Sequence, residues 1–156
     1  MDFFTASQAL AQVETLDVEA MELLVRLENS GGAFYDALAE RIGNDEAAEL
    51  LRRNGREEAG HARRVLRALA LKAGPGYVPS PQVDEPLAVS LPDTIDAAIL
   101  PHIVAGEIDG DAGYQAWADR EADPEVARLL RLNGREETMH AERLQQVMAI
   151  LDARPA

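Results

Sequence analysis

Glu58-Ala59-Gly60-His61 and Glu137-Thr138-Met139-His140 are two Glu-x-x-His motifs, and each follows a lone Glu, Glu28 or Glu107, by thirty residues. On a helix, positions i and i+3 share a face, so each motif aims a carboxylate and an imidazole in one direction. Four carboxylates and two imidazoles in a repeated pattern form a ligand set for two transition-metal ions.

The motifs lie inside an internal repeat. A shift of 79 residues lays Glu46–Arg64 on Glu125–Arg143 with 13 of 19 positions identical. The same shift carries Glu28 onto Glu107, Gly31 onto Gly110, Tyr35 onto Tyr114 and Arg41 onto Arg120. A unit of this length occurring twice is not a solenoid array; it reads as a duplicated helical hairpin whose copies pair to close a core.

Four segments with helical periodicity position these residues. The first runs from about Ser7 or Thr15 to Arg41 and the second from about Asp45 to Lys72, with Gly43-Asn44-Asp45 between them. The next twenty residues, Ala73 to Pro92, hold five prolines and read as an extended crossover. The third helix is expected from Pro92-Asp93 to Glu121, with a kink at Pro101, and the fourth from its cap at Asp123 to about Leu151. Asn54-Gly55 and Asn133-Gly134 resemble turns, but the helical phase continues through them. They are read as mid-helix sites where a neighbouring backbone comes close.

One all-α domain over 1–156 follows: a hairpin over 7–72, a crossover over 73–92 and a hairpin over 93–152. Helix lengths place the carboxylates at one level. Glu28 lies about 21 Å before the end of its helix and Glu58 about 20 Å after the start of the next, at 1.5 Å per residue. Glu107 and Glu137 repeat the arithmetic in the second hairpin.

Composition narrows the function. A net charge of -13 argues against nucleic acid, which needs a basic footprint. The chain has no cysteine, which excludes disulfides, iron–sulfur clusters and thiol catalysis. The opening MDFFTASQALAQ lacks the charged and apolar regions of a signal peptide, and no apolar run approaches a membrane span. A cytoplasmic protein is the default expectation.

At these residues the chain resembles the ferritin-like di-iron carboxylate superfamily, especially its rubrerythrin and bacterioferritin branches. The resemblance covers nearly the whole chain: four helices, one long crossover, and in each half a Glu followed by Glu-x-x-His. It implies a ferritin-like bundle holding two iron ions, with Glu58 and Glu137 bridging and Glu28, His61, Glu107 and His140 as terminal ligands. Tyr35 and Tyr114, seven residues after the lone Glu, match a family habit of hydrogen-bonding near the metals. Gly110 stands where peroxide-reducing rubrerythrins carry an extra Glu, so their ligand switching is not expected. Ala59 replaces the Met that binds haem in bacterioferritins, and no rubredoxin-type site is present, so any electron donor is separate.

The expected activity is therefore a rubrerythrin-like peroxide reductase or ferroxidase, consuming hydrogen peroxide or dioxygen while oxidising Fe(II). Ferritin-type iron storage and oxygenation of an organic substrate are the rivals, and manganese is an alternative metal. A homodimer is favoured over a large shell. Glu57 and Glu136, about 100° from the ligands, are assigned to the surface. His102 is read as a bystander, and Trp117 and Met139 as core. The glycines near the lone Glu ligands are read as close packing.

Overall fold

Four of the five α-helices begin at a side chain that caps their first free N–H groups. The computed structural model describes residues 1–153. Asp2 precedes α1 (Phe3–Ala11), Asp17 precedes α2 (Val18–Arg41), Asn44 precedes α3 (Asp45–Ala73) and Asp123 precedes α5 (Pro124–Asp152). Each accepts a backbone N–H at 2.8–2.9 Å. Between α2 and α3 the chain reverses through Gly43 at φ +70°, a conformation a Cβ disfavours. The remaining helix, α4 (Leu100–Asp119), follows a short 3₁₀ turn over Ala97–Ile99. No strand is present among the described residues, and no helix there is long and apolar enough to cross a membrane.

Two helix boundaries differ from expectation. Of the two starts expected for the first helix, Thr15 lies close to the observed Val18 while Ser7 falls in a separate helix, because the chain breaks between Ala11 and Val18, where Leu16 is buried and Asp17 caps a new start. The third begins at Leu100 rather than at Pro92-Asp93, so Pro101 sits in the first turn and no kink is needed. A proline has no N–H to donate, and the first turn needs none there.

Helix α2 packs on α3, α4 on α5, and the two hairpins meet along α3 and α5. That seam is antiparallel. Asn54 Nδ2 donates to the carbonyl of His140 (3.2 Å) and Asn133 Nδ2 to that of His61 (3.1 Å). The crossover lies along α2, where Leu87 N–H donates to Ser30 Oγ (2.9 Å) and Arg26 Nε to the Glu85 carbonyl (2.9 Å).

Two apolar clusters fill the interior. Along α3, one uses Ala62, Val65, Ala68 and Leu69, and the other uses Ala47, Ala48 and Leu51. The buried stretch between them carries Asn54, Gly55, Glu58 and His61, the polar level of the bundle. Each fully buried Leu contributes about 1.5–3 kcal/mol, which lets the clusters offset the cost of polar burial between them.

Both Asn-Gly pairs are helical, and both glycines are close approaches. A Cβ on Gly55 would lie 3.3 Å from the Gly32 carbonyl oxygen and 3.2 Å from Tyr35 Cβ. On Gly134 it would meet Gln115 Nε2 at 2.6 Å, Asp111 Oδ1 at 2.7 Å and Tyr114 Cβ at 3.0 Å. Gly134→Ala is expected to destabilise by about 1–3 kcal/mol through overpacking. Gly113→Ala, where a Cβ meets nothing within 4 Å, is expected to stabilise by about 0.5–1 kcal/mol. Urea denaturation of both variants checks the pair; equal effects would contradict it.

Candidate metal centre

All six ligand candidates converge at that polar level. Glu28, Glu58, His61, Glu137 and His140 are buried, and Glu107 is nearly so. They form two groups, each able to hold a metal ion: Glu28, Glu58, His61 and Glu137, and then Glu58, Glu107, Glu137 and His140. Within each group the ligand atoms lie within 4.8 Å of one another. Glu58 and Glu137 belong to both.

The imidazoles turn the same nitrogen inward. His61 Nδ1 is 3.1 Å from Glu137, 3.3 Å from Glu58 and 3.4 Å from Glu28. His140 Nδ1 is 3.5 Å from both Glu58 and Glu137, and 3.9 Å from Glu107. The rings stack with centroids 5.1 Å apart. No nitrogen of either ring makes a hydrogen bond of acceptable geometry, although all are buried. Orphaned buried nitrogens facing carboxylates, in a set of four carboxylates and two imidazoles, fit a pair of hard-to-borderline cations.

The tyrosines cross between hairpins. Tyr35 OH, on α2, donates to Glu107 Oε1 on α4, and Tyr114 OH, on α4, donates to Glu28 Oε1 (2.5 Å) on α2. Burial and the neighbouring carboxylates push both phenols well above their ordinary range, so both remain proton donors.

Without a cation the carboxylates compete for charge. Burial, then the charge of Glu28, pushes Glu58 up to about 8. Burial and Glu137 push Glu107 well above the ordinary range. Burial also works against Glu28, but its contacts with Glu58 and His61 and the hydrogen bond from Tyr114 hold it down at about 2. Burial opposes charge on both imidazoles, yet the carboxylates prevail and raise His140 to about 10 and His61 higher still.

Glu57 and Glu136 do not belong to the free surface. The 100° that separates them from the ligands points along the α3–α5 seam, where the other hairpin packs. Glu136 Oε2 lies 3.8 Å from His61 Nε2, and Glu57 Oε1 lies 3.7 Å from His140 Nε2. Arg64 binds Glu136 (2.7 Å) and Asn133 (3.2 Å), and Arg143 binds Glu57 (2.8 Å) and Asn54 (3.0 Å). Each hairpin thus sets a carboxylate behind the other hairpin's imidazole, on the side away from the inward-facing Nδ1. Glu57→Ala and Glu136→Ala are each expected to weaken metal binding about 10–100-fold, read by competition with a chromogenic chelator.

The remaining residues sort simply. Gly31 makes room for a ligand, since a Cβ there would be 3.1 Å from Glu58 Cδ, whereas one on Gly110 would make only ordinary contact with Glu137 Cγ at 3.6 Å. His102 is exposed and joins neither group. Trp117 is buried, its Nε1 donating to the Val13 carbonyl (2.7 Å). Met139 is 43% exposed and so is not a core residue. Comparison with family models, characterised proteins and solved structures finds no match. Functional assignment therefore rests on these side chains.

Proposed function

We propose that the protein is a ferritin-like di-iron carboxylate oxidoreductase of rubrerythrin type, which oxidises Fe(II) at the expense of hydrogen peroxide or dioxygen. The observation that carries this reading is the sharing of Glu58 and Glu137 between the two ligand groups. Glu58 and Glu137 would serve both ions and so keep the two metals close enough to act on one oxidant. Glu28 with His61, and Glu107 with His140, would then be the terminal pairs. The iron pair, when bound, supplies two electrons to an O–O bond.

The chain's own part is to position ligands and hold protons. Tyr35 and Tyr114 fix the terminal carboxylates of the opposite hairpin and keep a phenolic proton at each. Glu136 and Glu57 place a negative charge behind each imidazole, 3.8 and 3.7 Å from its Nε2. The apolar clusters on either side exclude bulk water, which strengthens each electrostatic contact inside. With no cysteine among these 156 residues, no thiolate-bound cluster within them supplies electrons for repeated turnover.

Anaerobic loading with Fe(II), then stopped-flow mixing with peroxide or dioxygen, tests the reading through the ferric absorbance. The expected result is a break at two irons per chain, with peroxide the faster oxidant. No break would overturn it. A break with dioxygen equally fast would reassign the chemistry to a ferroxidase.

A further inference from the structure

The outer side of the α3–α5 seam holds a groove of about 430 Å³, lined by Gly60, Arg63, Arg64, Arg67, Arg128, Leu129 and Leu132. Its four arginines sit on a chain whose net charge is -13. The nearby carboxylates are fewer. Glu125 takes Arg128 (2.6 Å) and Arg67 (3.6 Å), and Glu136 takes Arg64 (2.7 Å). Arg63 makes no ion pair among the described residues. A Cβ on Gly60 would come within 3.7 Å of Arg63 Nη2, so the guanidinium lies over that glycine.

The duplication supplies an internal control. Within the 19-residue repeat the copies differ at six positions, and four of those place a residue in this groove. Gly60 is matched by Met139, Arg63 by Glu142, Arg128 by Glu49 and Leu132 by Arg53. Just beyond that stretch, Arg67 is matched by Gln146. The half of the seam equivalent to the groove thus carries Glu49, Arg53, Glu142 and Arg143, a balanced set. One half is open and basic and the other balanced, while the ligand positions beneath are identical in both.

We propose that this groove binds a small phosphate-type oxyanion. Guanidinium forks match the geometry of phosphate oxygens, and several around one concavity exceed what a solvated surface needs. An extended polyanion is disfavoured, because the acidic surface beyond the groove repels it. Nothing in the groove requires a metal ion in the core.

The test is calorimetric titration of the full chain, in low-salt buffer free of phosphate, with inorganic phosphate and separately with pyrophosphate. Saturable binding of one anion per chain is expected; tighter binding of pyrophosphate would identify a diphosphate group, and equal binding a single phosphate. Arg63→Gln and Gly60→Met, the latter closing the groove without changing charge, are each expected to weaken binding about tenfold or more. Arg128→Gln, on the exposed rim, is a third variant that leaves the core untouched. Arg56→Gln removes an arginine paired with Glu49 outside the groove (2.9 Å) and is expected to leave affinity unchanged. Absence of saturable binding, or an equal loss in Arg56→Gln, would overturn the assignment.

Discussion

Replacing Glu58 by Gln is expected to yield a folded protein that no longer holds two metal ions and that, metal-free above pH 8, resists unfolding better than the original. The site explains both halves of that result. Glu58 contributes to each ligand group, so a neutral amide in its place weakens both ions together. The expected loss of affinity exceeds about a hundredfold, beyond that of any supporting carboxylate. The gain in stability has a separate origin. Glu58 is buried, and its carboxyl is pushed up to about 8 by burial and by the charge of Glu28. Below that pH it already holds a proton, and Gln mimics that neutral form. Above it, the unmodified protein must either ionise a buried carboxylate among others or hold the proton against solvent. Removing that conflict is worth about 1–3 kcal/mol, as when buried charges are replaced by neutral groups. Glu142→Gln, on the exposed surface, serves as the control. Calorimetry and anaerobic Fe(II) titration read the two effects. A variant that kept both ions, or that unfolded more easily at pH 9, would make the cluster structural.

Much of this site was legible because the chain states it twice. Glu28 and Glu107, the two Glu-x-x-His motifs, and Tyr35 and Tyr114 recur at one offset, and helical periodicity then fixes which face they share. The structure brings all of them to one level. What lies 100° away from a ligand is a different question, because that direction can meet water or another helix. Glu57 and Glu136 were misplaced for that reason. A signal for them did exist. Asn54/Asn133, Glu57/Glu136 and Arg64/Arg143 are identical across the repeat without being ligands, and they tie one hairpin to the other at the histidine backbones and through Arg–Glu pairs. Helix boundaries were less legible. The break before Val18 depends on burying Leu16, and the late start of α4 on a crossover that packs along α2; both are tertiary effects. The exposure of Met139 depends on the same packing, since it faces outward where its repeat partner, Gly60, borders the groove.

Metal-free protein should lose thermal stability as pH rises from about 6 to about 9, while metal-loaded protein should not. Glu58, Glu107 and both histidines all hold their protons more tightly when folded. Burial and Glu28 raise Glu58 from 4.5 to about 8; the surrounding carboxylates, against burial, raise His140 from 6.5 to about 10. Glu107 and His61 move in the same direction. Between each unfolded and folded value the folded state binds more protons than the unfolded one, so stability falls with rising pH across that window. For Glu58 the window is 4.5 to about 8, and for His140 it is 6.5 to about 10. Glu28 and Glu136 work oppositely, since contacts hold both at about 2; their contribution is present above 4.5 and is lost as pH falls toward 2. Metal-free stability therefore peaks on the acid side of neutrality, where protons stand in for cations. Divalent ions displace those protons, so binding should release protons and tighten as pH rises toward about 8. Melting curves at pH 6, 7.5 and 9, with and without metal, together with proton release in weak buffer, check both statements. Metal-free stability that rose steadily over that range would mean the carboxylates are not sharing protons in the core, and the electrostatic account of the site would fall with it.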